Sequence, residues 1–79
     1  MFTKKDLQNA VYKALVKLDG SAHIKETARH IHKNHIHEIQ GSDMEFSWHY
    51  DMRWQATYLR KRGLIKPANE SPRGYWELT

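Results

Sequence analysis

Apolar residues at Leu7, Val11, Ala14, Leu15 and Leu18 recur at helical spacing and predict a first helix over about residues 4–18. Thr3 stands at its N-cap with Asp6 three residues on, an Asp version of the capping box. Phe2 and Leu7 occupy the two positions of a hydrophobic staple, and Gly20 suits a left-handed exit. Ser21 to Ile24 reads as a single short edge strand. A second helical pattern begins near Lys25, with Ile24, Ala28 and Ile31 in phase, and weakens after Asn34. Gly41-Ser42-Asp43 is a turn signal. A third helix starts between residues 42 and 48, with Ser42 (ahead of Glu45) and Ser47 as rival caps, and runs to Arg62 before Gly63. Leu64-Ile65-Lys66 and Arg73 to Thr79 then read as two short strands around the loop Pro67 to Pro72, with Trp76 and Leu78 on one face.

The order helix, strand, helix, helix, strand, strand is that of an α+β winged helix, that is, a winged helix-turn-helix. The second and third helices form the helix-turn-helix and the C-terminal hairpin forms the wing. At 79 residues the chain has room for one domain, spanning 1–79, with a single core. It has no cysteine, which excludes a disulfide scaffold and a thiolate zinc site and fits a reducing, cytoplasmic setting. No apolar run approaches the length of a membrane span, and MFTKKDLQ lacks the apolar stretch of a signal peptide.

Four histidines crowd into RHIHKNHIHEIQ, residues 29–40, and raise the question of a metal site. His30 and His37 share a helical face but lie about 10 Å apart along the axis, too far to hold one ion. His32 and His35 lie closer in angle, yet need further ligands from elsewhere. His37-Glu38 is not followed by the residues of an HExxH motif. His35 falls in phase with Ile24, Ala28, Ile31 and Ile39, which predicts that it is half-buried. A polar helix face accounts for the run better than a metal centre does, and neither metal nor cofactor is expected.

The charge is unevenly placed. The net charge is +4; residues 1–52 hold seven Lys/Arg against seven Asp/Glu, and residues 53–79 hold six against two. The whole excess therefore lies in the third helix and the hairpin, the two elements a winged helix offers to DNA. On the third helix Trp48, Met52, Gln55 and Leu59 mark the core side, with Gln55 the polar misfit. Opposite lie Tyr50, Arg53, Thr57, Arg60 and Lys61, with Trp54 at the edge. Arg53 and Thr57 suit base-edge contacts. Arg60, Lys61, Lys66 and Arg73 suit phosphates, which position a protein without reading sequence. Two features pull the other way. A basic last turn also favours the helix dipole, and residues 34–52 carry four acids and no Lys or Arg. The wing aromatics and the acidic 38–51 stretch would serve a partner chain or a second copy in a homodimer, and the same basic surface would serve RNA with Trp54 or Tyr75 stacking on its bases.

The stretches W54-Q-A-T-Y-L-R-K-R-G-L-I65 and S71-P-R-G-Y-W-E-L-T79 resemble the N-terminal winged-helix domain of Mrr-type restriction endonucleases. Trp54, Tyr58, Leu59, Gly63, Leu64, Ile65, Arg73, Gly74 and Trp76 carry the likeness, and A10-V-Y-K-A-L15, Gly20-Ser21 and I24-K-E-T-A28 match it loosely. Gln55 stands where the family usually has Ala. The resemblance implies a domain that binds double-stranded DNA and delivers a nuclease. No Glu or Asp here is followed two residues later by Lys, as the nuclease's metal site requires, so the implied part is the binding half alone. A Gly-rich phosphate loop and a nucleophile motif are likewise absent, and a non-enzymatic DNA-binding module, a regulator or DNA-targeting subunit, is the expected role.

Overall fold

A computed structural model describes all of residues 1–79. Helix α1 spans Lys4–Lys17, strand β1 Ser21–His23, helix α2 Ile24–Ile39, helix α3 Trp48–Lys61 and strand β2 Tyr75–Glu77, with a 3-10 turn at Ala68–Glu70. The N-terminal signals act as their chemistry dictates. The Thr3 hydroxyl accepts from the Asp6 N–H at 3.1 Å, and the Asp6 carboxylate accepts from the Thr3 N–H at 2.9 Å. The Thr3 N–H, and the Thr3 hydroxyl donating to the same carboxylate oxygen at 3.0 Å, hold the Asp6 carboxyl below its usual pKa range. Phe2 and Leu7 are both buried, as the staple requires. At the other end Asp19 and Gly20 both have positive φ, and the Gly20 N–H closes on the Leu15 carbonyl at 2.7 Å.

Helix α2 has an N-cap that its sequence conceals. His23 Nδ1 accepts from the Lys25 N–H at 3.1 Å, and the His23 carbonyl accepts from the Thr27 hydroxyl at 3.1 Å. The imidazole thus replaces the usual Ser or Asp oxygen. The helix continues past Asn34, whose amide turns back on the His30 carbonyl at 2.8 Å, because Ile39 still anchors its last turn in the core. Of the rival starts for α3, Ser47 holds the cap position, although its hydroxyl donates to the Asp51 carboxylate (2.7 Å) rather than capping a backbone N–H. Ser42 and Glu45 build the preceding turn instead: Ser42 Oγ donates to the Ile39 carbonyl at 2.7 Å and accepts from the Met44 N–H at 3.1 Å, while Glu45 accepts from the Gly41 N–H at 2.6 Å.

The sheet has two strands, not the expected three. β1 and β2 run antiparallel, with Ser21 opposite Glu77, Ala22 opposite Trp76 and His23 opposite Tyr75. The segment Leu64 to Lys66 contributes only an isolated bridge, Ile65 to Leu78, on the other edge of β2. It is flanked by Lys66 N–H to the Glu77 carbonyl (2.8 Å) and Thr79 N–H to the Leu64 carbonyl (3.2 Å). The Lys66 carbonyl, the next acceptor on that edge, accepts from the Arg60 Nε–H instead, and the 3-10 turn carries the chain away. The order of elements is otherwise as expected.

One core joins everything. Leu7, Val11 and Leu15 of α1 meet Ile31 and Ile39 of α2, Met52 and Leu59 of α3, and Ile65, all essentially without solvent contact. Trp76, Trp48, Met44 and Phe2 seal its edges. Gln55 lies within this packing, 4% exposed. Gln8 Nε2 donates to its Oε1 at 3.1 Å, and Arg62 Nη1 donates to Gln8 Oε1 at 2.7 Å. A polar chain, Arg62 to Gln8 to Gln55, therefore crosses the α1–α3 interface and accounts for the misfit on the core side.

Candidate nucleic-acid interface

Burying Met52, Ala56 and Leu59 against the core turns the opposite side of α3 outward. Arg53 is exposed there, and it also lines an open groove between α2 and α3. The groove's floor is Ile24, Ala28, Trp48 and Met52; its polar lining is Lys25, Arg29, His32, His49 and Arg53, with no carboxylate. The His32 and His49 rings lie 6.2 and 3.8 Å from the Trp48 ring. The chain holds just two ion pairs, His35–Glu38 and Lys66–Glu77. Lys25, Arg29, Arg53, Lys61 and Arg73 thus face solvent with no acidic partner.

The six residues singled out from sequence have different fates. Arg53, Lys61 and Arg73 are exposed. Lys61 Nζ sits 5.8 Å from the Tyr58 ring centroid. Thr57 is partly exposed, and its hydroxyl donates to the Arg53 carbonyl at 3.2 Å. Arg60 is half-buried, and its Nε–H donates to the Lys66 carbonyl at 3.0 Å, tying the end of α3 to the chain that enters the 67–72 loop. Lys66 Nζ lies 3.8 Å from the Glu77 carboxylate. Arg60 and Lys66 are therefore partly committed to the fold, while Arg53, Lys61 and Arg73 are free to meet an anion.

Lys25 and Arg29 were not among those six. Charge summed along residues 1–52 cancels to zero, so their contribution disappears in the count. The signal that finds them is spacing: Lys25, Arg29 and His32 follow one another by four and three residues on one face of α2.

A second feature lies beside the first on α3. Tyr50, Trp54 and Tyr58 are 54%, 48% and 45% exposed. Their ring centroids are 6.3 and 6.5 Å apart, with interplanar angles of 22° and 34°. The three rings form one outward band rather than packing beneath the hairpin. Tyr75 is also partly exposed and packs edge-on against His23 at 5.3 Å.

The crowded histidines disperse. His35 is half-buried, as its phase predicts, with Nδ1 2.9 Å from the Glu38 carboxylate and its ring 5.5 Å from that of Phe2. His32 turns to Trp48. No three His, Asp or Glu side chains converge in a way that could hold a metal ion. No helix is long and apolar enough to cross a membrane. The chain matches no protein-family model, and no curated protein and no solved structure is significantly similar to it.

Proposed function

We propose that the chain is a winged-helix module that binds double-stranded DNA without acting on it, with α3 in the major groove and the 64–78 hairpin as a wing on the backbone. The observation that carries this reading is the α2–α3 groove, whose charged side chains are all cationic and unpaired. Arg53 at its rim would read a base edge, since Arg guanidinium matches the two acceptors of guanine. Lys25, Arg29, Lys61 and Arg73 surround it as phosphate contacts. The resemblance to the N-terminal domain of Mrr-type restriction endonucleases supports the same role, as a regulator or the DNA-targeting part of a larger assembly.

The test is a salt series of binding to a random-sequence duplex, read with NMR amide shifts. Four phosphate contacts correspond to a slope of log K against log salt of about −3.6. Arg53→Ala with Arg73→Ala removes one base contact and one phosphate contact, weakening binding and lowering that magnitude by about 1. Shifts are expected at Lys25, Arg29, Arg53, Lys61 and Arg73. A double variant that binds as the parent does refutes this surface. A parent that does not bind duplex at low salt refutes the DNA reading and favours a protein partner.

A further inference from the structure

The aromatic band on α3 is not needed by the duplex reading. Base edges in a major groove call for hydrogen-bonding side chains, and Tyr50, Trp54 and Tyr58 are not among the residues that line the cationic groove but extend from its Arg53 rim to Lys4 near the start of α1. Tyr50, Trp54 and Tyr58 line a shallow surface together with Lys4 and Gln55. Three large exposed rings at four-residue spacing on a small domain form an apolar patch of the kind that marks a binding surface.

We infer that Tyr50, Trp54 and Tyr58 form a stacking surface for unpaired nucleobases, so that the protein binds single-stranded nucleic acid along the α1 flank of α3. Two observations choose this occupant over a second copy of the chain. The band is bordered by cations: Lys4 lines it, Lys61 lies over the Tyr58 ring, and Arg53 shares the adjoining surface of Tyr50 and Trp54. Asp51 is the lone carboxylate on that surface, against the three cations Lys4, Arg53 and Lys61. A second copy would bring the same net charge of +4 to this face, whereas a phosphodiester strand brings the complementary one. Aromatic rings flanked by Lys and Arg are the chemistry that holds a single strand with little sequence preference, because every base offers a π face.

The structure also supplies the probe. Trp48 and Trp76 are 6% and 5% exposed, so Trp54 is the tryptophan a stacked base can reach. Titration of the whole chain with a single-stranded thymidine oligonucleotide is expected to quench intrinsic fluorescence. An oligomer of the same length made of abasic sites is expected to bind by charge alone and leave the fluorescence unchanged. Trp54→Leu should weaken the thymidine oligonucleotide about 5- to 100-fold and leave the random duplex unaffected, while Trp54→Phe should retain most of the affinity. Tyr58→Leu, read by anisotropy of a labelled strand, gives a second variant with its tryptophan signal intact. If the duplex binds with a steep salt slope but neither variant alters single-strand affinity, the stacking surface is wrong and the duplex reading stands. If single strands quench Trp54 and the duplex does not bind, the stacking surface stands without the duplex reading. If Trp54 emission instead shifts with protein concentration as dimers appear in sedimentation, the band is an interface between copies and the inference is overturned.

Discussion

Removing either end of the glutamine pair tests whether the polar chain across the α1–α3 interface is built as described. Gln55 is 4% exposed, and its Oε1 accepts from Gln8. Gln8→Ala leaves that acceptor in packed surroundings without its donor and removes the acceptor for Arg62. An unsatisfied buried group costs about 1–3 kcal/mol; Gln8 is itself partly exposed, so water limits the loss to about 1–2 kcal/mol. Gln55→Ala removes buried side-chain volume and frees Gln8 to turn to water, for a loss of about 1 kcal/mol. The double variant no longer strands either amide. It should therefore be less destabilised than the sum of the single variants, by about 1 kcal/mol. Urea unfolding followed by far-UV circular dichroism measures all four species, and each kcal/mol corresponds to about 4–8 °C in thermal midpoint for a domain of this size. Additivity to within about 0.3 kcal/mol would mean that the two amides do not interact. The Gln8–Gln55 bond across the α1–α3 interface would then not form in solution.

Gly74→Ala should cost about 1–3 kcal/mol, because φ there is +80° and an added Cβ would lie 2.9 Å from His23 Nε2, displacing the imidazole that caps α2; a urea midpoint equal to the parent's would refute that close approach. His23→Ala should lose about 1 kcal/mol through the same cap, measured the same way. The depressed Asp6 carboxyl contributes stability that is present above the unfolded-state pKa of an aspartate, about 4, and lost as pH falls through the lower folded-state value. Asp6→Asn should thus be less stable than the parent near pH 7, with the difference closing in strong acid, as checked by urea unfolding across that range. Leu59→Ala, at a fully buried core position, should cost about 2–5 kcal/mol and leave a chain of this size close to unfolded at room temperature.

How much of this was legible in the sequence depends on how local each determinant is. The Thr3–Asp6 box, the Phe2–Leu7 staple and the Met52–Leu59 stripe act within one helix or its first turn, and periodicity exposes them. The His23 cap is equally local but uses a residue type that cap preferences rank low, and the Gly74 carbonyl that accepts the Ile24 N–H lies fifty residues away in sequence. Leu64-Ile65-Lys66 has strand composition, but its pairing stops at one bridge, where the Lys66 carbonyl goes to Arg60 and the 3-10 turn begins. The candidate interface shows the same division. Arg53, Lys61 and Arg73 stand out in a basic C-terminal third, but Arg60 and Lys66 look identical to them until their partners, the Lys66 carbonyl and the Glu77 carboxylate, are seen. Lys25 and Arg29 show the reverse: neutralised in a linear count by acids elsewhere on the chain, they become part of an unopposed cationic groove once α2 packs beside α3. What matters to an anion is the sign of the charge within about a Debye length of the surface it touches. Folding therefore concentrates on the α2–α3 face a positive potential that no sum along the chain could locate.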